Sequence, residues 1–363
     1  MQSENYLSHE ADAADTVVVE PKKKVTPLWL WSHLAVFFVG LALLVWLVYA
    51  YWAQVRDSII NVGWGILLVI ALNLIRHLAR AFSMYMAVSP DHRNFKYRSA
   101  LLARFGGEAV NFFTFTGPFL GDATKAVLLR RNTPITQSAS AVIIDNILYY
   151  ITVVMMVLAG VAVLVAKFGT TGSTMNNVLL VIVGAATLLF IVFVVAVVRR
   201  PEPFSHVLRF LEKRGWAPHF ITKQADGIRD VEKNVFQFYH DRKRDFFLVF
   251  FTSVVVHLIS VTEVYFVLGF LGEERNIANA FIIESLTKVI NAVFGFVPGT
   301  IGVYEGGNGL ILKTLHLGTA QGVALALVRR AAILVATAVG CVVLLWRTAE
   351  GGAKRIKQKK ADK

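Results

Sequence analysis

Two stretches place ionisable residues inside apolar, glycine-broken sequence. Residues 105–131 read FGGEAVNFFTFTGPFLGDATKAVLLRR, with Glu108, Asn111, Asp122 and Lys125 among phenylalanines and breaks at Gly106, Gly107, Gly117, Pro118 and Gly121. Residues 286–305 read LTKVINAVFGFVPGTIGVYE, with Lys288, Asn291 and Glu305 around Pro298, Gly299 and Gly302. Aligned on Pro118 and Pro298, both stretches carry an Asn seven residues upstream, flanking glycines and a carboxylate shortly downstream. An ionisable group at membrane depth costs about 2.5–3.5 kcal/mol on insertion scales, so it faces a cavity or a counter-charge. The chemistry on offer is therefore binding of a charged headgroup, or proton transfer by a carboxylate held out of water.

Asp122 and Lys125 lie three residues apart, a spacing that also suits a plain ion pair at the cytoplasmic rim. Glu305 follows PGTIGVY, where glycine lets backbone approach a ligand or another helix. Glu108, in GGEAVN, is a comparable candidate. Arg329 and Arg330 fall deep in an apolar run. One of them can snorkel outward; the other is placed to bind a phosphate or to pair with Glu305, Glu284 or Glu263, and arginine's planar fork suits phosphate. Asp145 holds an early place in its own apolar run. It either complements those arginines as part of a second copy or pairs with Arg130 or Arg131. Arg76 and Arg80 read as headgroup-level topology anchors. His257 reads as hydrogen-bonded to a neighbour more readily than as a proton relay. Asn111 and Asn291 either cap broken helix ends or bind ligand. The phenylalanines at 112, 113, 115 and 119 read as packing. No phosphate-binding loop, zinc spacing or nucleophile elbow occurs, so no cofactor and no metal are expected.

These residues need a scaffold, and the composition names its class. The chain has 363 residues, 56% of them hydrophobic, with several continuously apolar runs of spanning length. That predicts an all-α polytopic membrane protein, not a barrel. Full spans are expected at residues 28–50, 59–86, 138–165, 178–198, 246–271 and 321–346, with Arg56 and Asp57 in the first turn. Re-entrant helical hairpins are expected at 101–131 and 280–317, because broken backbone at membrane depth is tolerated only where protein or a wet cavity surrounds it. Residues 1–27 are expected to form a disordered, acidic cytoplasmic tail unlike a cleavable signal peptide, and 347–363 a basic cytoplasmic one. Residues 199–245 form a polar connector. Ile221, Ile228, Val231, Val235 and Phe238 give it one amphipathic helix, lying on the membrane or packed on the protein. Cys341 is the only cysteine, which excludes an intrachain disulfide.

The net charge of +13 is read as topology and anionic-lipid contact rather than nucleic-acid binding. With both termini cytoplasmic and each hairpin crossing nothing, nearly all of the 37 Lys and Arg fall inside. The exceptions are Arg56, Lys167, Arg275 and Lys313 outside, and Lys288, Arg329 and Arg330 at depth. That asymmetry follows the positive-inside rule. It also makes residues 28–166 and 178–346 inverted repeats whose hairpins enter from opposite faces, an architecture of transporters.

At GGEAVNFFTFTGPFLGDATKAVLLRR and FVPGTIGVYEGG the chain resembles the flippase-like family, the transmembrane region of lysylphosphatidylglycerol synthases. The resemblance runs from Trp29 to Trp346, and the chain departs from the family's TPTGP-like run at Phe115. It implies a lipid translocase of the inner or plasma membrane, not an enzyme. The substrate would be a phospholipid, a hopanoid or a polyprenyl-linked lipid with an anionic or phosphate-bearing headgroup. The synthase domain is separate in that family, so this chain is not expected to make the aminoacyl lipid, although a lipid-synthesis enzyme is a possible partner. The expected substrate-binding residues are Glu108, Asn111, Gly117, Pro118, Gly121, Asp122, Lys125, Asn291, Pro298, Gly299, Gly302, Glu305, Arg329 and Arg330. Two alternatives remain: an intramembrane enzyme using Glu108 or Glu305 as acid or base, and a non-catalytic partner of a lipid or glycan synthase.

Overall fold

The computed structural model describes residues 27–114, 118–130, 132–168, 184 and 225–361. Residues 1–26 of the expected tail, the fourth expected span at 178–198 apart from residue 184, the connector before residue 225, and Phe115 and Gly117 lie outside them. Among the described residues the structure is all-helical. In chain order the helices are α1 (Pro27–Ala50), α2 (Trp52–Val62), α3 (Gly65–Ala87), α4 (Tyr97–Phe113), α5 (Pro118–Leu129) and α6 (Ile135–Phe168). After the undescribed segment come α7 (Ala225–Asp241), α8 (Lys243–Phe270), α9 (Ile277–Val293), α10 (Val303–Thr314) and α11 (Thr319–Ala361).

Among the described residues, four helical stretches are long and apolar enough to cross a membrane: Gly65–Ala87, Ile135–Lys167, Lys243–Phe270 and Thr319–Glu350. Phe38–Ala50 and Trp52–Val62 make a fifth only if taken together, and they are bent by 85°. The expected turn at Arg56 and Asp57 is thus a helix. The breaks fall on either side of it, at Tyr51 and at Gly63, whose φ of +46° is cheap only for glycine.

The element order repeats. A long helix (α3, α8) leads to a 17-residue helix (α4, α9), then a 12-residue helix (α5, α10), then another long helix (α6, α11). At 1.5 Å per residue the short helices measure about 26 and 18 Å, less than the roughly 30 Å of a hydrocarbon core. Within each pair the short helices run antiparallel. In the first, a Cβ added at Gly121 would lie 2.4 Å from the Gly107 carbonyl oxygen, and one at Gly106 would lie 2.6 Å from Leu128. In the second, Thr287 donates to Asn308 at 3.0 Å, and Gly307 abuts Ile290. Small residues let the backbones approach this closely. Asn276 caps α9 by accepting from the amides of Ala278 and Asn279, the role its residue type favours.

The pairs open toward opposite ends of α6. The first precedes the start of α6 in the chain. The base of the second lies at its far end, where Lys167 donates to Asn279 at 2.6 Å. The breaks of the two pairs nevertheless meet, since a Cβ at Gly299 would stand 3.0 Å from the Phe112 ring. One apolar core gathers Val264, Leu268, Ile282, Leu312 and Leu325; a second gathers Met84, Leu129, Ile144, Leu148 and Phe238. Phe238 is fully buried, so the amphipathic α7 packs on the protein. Large apolar side chains such as Trp46, Tyr49, Phe247 and Phe251 cover the outside.

Candidate functional site

The long helices carry charges inward to the short pairs. In the first half, Arg80 of α3 donates to Asp145 of α6 at 2.7 Å and to Asn146 at 3.1 Å. Ser83 donates to the other Asp145 oxygen. Arg104 of α4 reaches Asp145 at 3.9 Å and Glu108 at 3.3 Å. Lys125 and Asn146 both donate to Asp122, at 2.8 and 2.7 Å. In the second half, Arg329 of α11 sits between Glu263 of α8 and Glu284 of α9, each at 2.8 Å, and Glu284 also pairs with Lys288 at 2.7 Å. Arg330 binds the Glu305 carboxylate and the carbonyls of Gly299 (3.0 Å) and Thr300 (3.4 Å).

Corresponding positions in the two halves carry charges of opposite sign. Arg80 and Glu263 each lie seven residues before the end of their long helix, and Asp145 and Arg329 each lie ten after the start of theirs. Arg104 and Glu284 lie seven, and Glu108 and Lys288 eleven, after the start of the 17-residue helix. Lys125 and Glu305 both lie seven residues after the aligned prolines. At these five pairs of positions each cation in one half has an anion at its counterpart, whereas Arg76 falls opposite Ile259 and Arg330 opposite Asn146.

Arg76 and Tyr149 link the charged networks of the two halves. Arg76 of α3 stands 3.2 Å from Glu263 and donates to Ser260 of α8 at 2.8 Å. Tyr149 of α6 lies 3.9 Å beneath the Arg80 guanidinium, accepts from Lys288 at 3.4 Å and stacks on His257. His257 meets Thr152 at 2.9 Å, the neighbour bond its sequence position suggested.

Several expectations need correction. Arg76 and Arg80 are not headgroup anchors: Arg80 is buried on Asp145, and Arg76 is held between helices by Glu263 and Ser260. Neither Arg329 nor Arg330 snorkels, because each is buried on carboxylates. Asp145 pairs with Arg80 rather than Arg130. Asp122 and Lys125 pair as their spacing allows, but Lys125 is buried. Asn111 accepts from the Gly121 amide at 3.0 Å and so secures the broken pair, whereas Asn291 is exposed. Phe113 and Phe119 point outward, unlike core residues. Pro118 opens α5, a position that tolerates its missing N–H. Pro298, Gly299 and Gly302 build the second break, with positive φ at both glycines. Arg104, absent from the expected site residues, belongs to the cluster; the offset that aligns the prolines places it opposite Glu284 and was the signal for it.

A family model matches residues 33–340, which contain the whole cluster. The chain belongs to the lysylphosphatidylglycerol synthase TM region family. No curated protein and no solved structure matches it. Membership together with the long apolar helices makes the chain a multi-pass membrane protein tied to lipid handling. As a member of the lysylphosphatidylglycerol synthase TM region family, it would hold the buried network from Arg76 to Arg330 against lipid, where unpaired charge is costly. Pairing across eight helices gives every carboxylate of the network a cation.

Proposed function

We propose that this protein moves a lipid with a phosphate-bearing headgroup between leaflets. The observation that carries this reading is the meeting of the two broken helix pairs at Phe112 and Gly299, with paired charges arranged around them. Short helices that open toward opposite ends of α6 suit re-entrant hairpins entering from opposite faces, and the repeated element order with exchanged charges supports an inverted repeat. Inverted repeats with broken helices are how many transporters alternate access. The headgroup would pass Glu108, Asp122 and Lys125 on one side and the Glu305–Arg330 pair on the other, with its tails in the bilayer. Movement would be downhill, ion-coupled or driven by a lipid-synthesis partner, in the inner or plasma membrane with both termini cytoplasmic.

The acid–base alternative fits less well. All six carboxylates of the cluster have a cationic partner, an arrangement that fixes charge in place and leaves no free acid. The test is lipid movement in vesicles of defined composition. Purified wild-type protein should transfer fluorescent phospholipid across the bilayer, and Glu305→Gln should not. Transfer no faster than in protein-free vesicles defeats the reading.

A further inference from the structure

The sign-exchanged networks differ in what they leave unpaired. In the second half the central group is the Arg329 cation, clamped between two carboxylates. In the first it is the Asp145 carboxylate, flanked by two arginines. Both Asp145 oxygens are occupied, one by Arg80 and one by Ser83. The Nε and Nη1 nitrogens of both Arg80 and Arg104 are buried and meet no acceptor among the described residues. Arg80 and Arg104 both reach one carboxylate oxygen; three of these four donors have no partner and the fourth, Arg104 Nη1, comes only within 3.9 Å of Asp145, whereas the second half leaves Arg329 Nη1 alone among its buried arginine nitrogens in that state. Buried polar groups are overwhelmingly hydrogen-bonded, and leaving charged donors unmet is costly. The missing partner has to bring several acceptor oxygens and negative charge.

We propose that Arg80 and Arg104 form a phosphate-binding site, filled by a lipid phosphodiester or by free phosphate. Guanidinium pairs suit this ligand because phosphate offers oxygens in several directions and guanidinium N–H groups are strong charge-assisted donors. Access runs beside Glu108 and Asp122, whose side chains are 31% and 21% exposed. Their negative charge disfavours a dianion more than a monoanion, so the singly charged phosphodiester is the preferred form. This assignment rests on the translocase reading for its route of access, and on the unpaired arginine donors for its chemistry.

The test is native mass spectrometry and thermal unfolding of the full chain in maltoside detergent. Phosphatidylglycerol, diacylglycerol lacking phosphate, and inorganic phosphate are titrated separately. Phosphatidylglycerol should bind and protect, diacylglycerol should not, and Arg104→Gln should weaken the phosphatidylglycerol response about tenfold, as loss of a charged hydrogen bond does. Lys288→Gln, which alters the other half, should keep the response. Arg104→Lys retains charge without the planar donors and covers the case in which Arg104→Gln does not fold; it should show an intermediate loss. Protection by inorganic phosphate alone upholds the site and assigns it to the free anion. Equal binding of diacylglycerol, an unchanged response in Arg104→Gln, or an equal loss in Lys288→Gln overturns the site. Lipid transfer measured on the same protein separates the two readings: transfer without phosphate binding removes only this site, and binding without transfer removes only the translocase.

Discussion

Arg330 holds both Glu305 and the backbone that Glu305 organises. Glu305 accepts the Gly302 amide at 2.9 Å and pairs with Arg330, which in turn donates to the Gly299 carbonyl at 3.0 Å. A carboxylate and a guanidinium thus fix a break whose glycines both have positive φ. Taking one partner from a buried pair costs about 3–5 kcal/mol. Glu305→Ala should therefore lower the unfolding midpoint in detergent sharply, and Glu305→Gln, which retains an acceptor for Gly302, should lower it less. Equal midpoints for wild type and Glu305→Ala would show that the break stands without this pair.

The exchanged signs predict rescue. Arg80→Glu or Asp145→Arg alone should reduce the yield of folded protein, because each leaves like charges in contact. The double variant puts in the first half the arrangement that Glu263 and Arg329 already use in the second. It should recover much of the loss in size-exclusion profiles. No recovery would show that Ser83 and Asn146 make the site intolerant of exchange.

Close packing inside the first helix pair is tested at Gly121. A Cβ there would fall 2.0 Å from Asn111 Oδ1 and 2.4 Å from the Gly107 carbonyl, so Gly121→Ala should destabilise by about 1–3 kcal/mol through overpacking. Gly227→Ala on α7, where nothing stands within 4 Å, should be neutral or slightly stabilising. Chemical unfolding of the two variants side by side gives the comparison.

Tyr149 is expected to couple the halves through its ring and its hydroxyl. Tyr149→Phe keeps the face under Arg80 and loses only the long bond from Lys288, so it should cost little. Tyr149→Ala removes a desolvated cation–π contact worth about 2 kcal/mol and opens a void. Its unfolding midpoint should fall well below that of Tyr149→Phe. Matching midpoints would place the coupling elsewhere, at Arg76 and Glu263.

How much was legible depended on range. The helix breaks at Pro118 and Pro298 were readable because proline and glycine act within a turn of themselves. Glu305 with Arg330, and Asp122 with Lys125, were readable as neighbours or as scarce opposites at similar depth. Arg80 was misread because its position near the end of an apolar run looks the same whether it faces headgroups or Asp145, 65 residues on. The turn expected at Arg56 became a helix because local charge does not decide where a backbone bends; the chain breaks on either side, at Tyr51 and at Gly63.

By itself the sequence determined the helical class, the apolar runs and the two broken segments, because periodicity, hydropathy and glycine–proline breaks are local properties of the chain. Only the tertiary structure decided which charges meet. Each pair joins residues on different helices or on one helix face, and the choice among several carboxylates for one arginine is made by packing, since an uncompensated buried charge costs more than any local preference can offset.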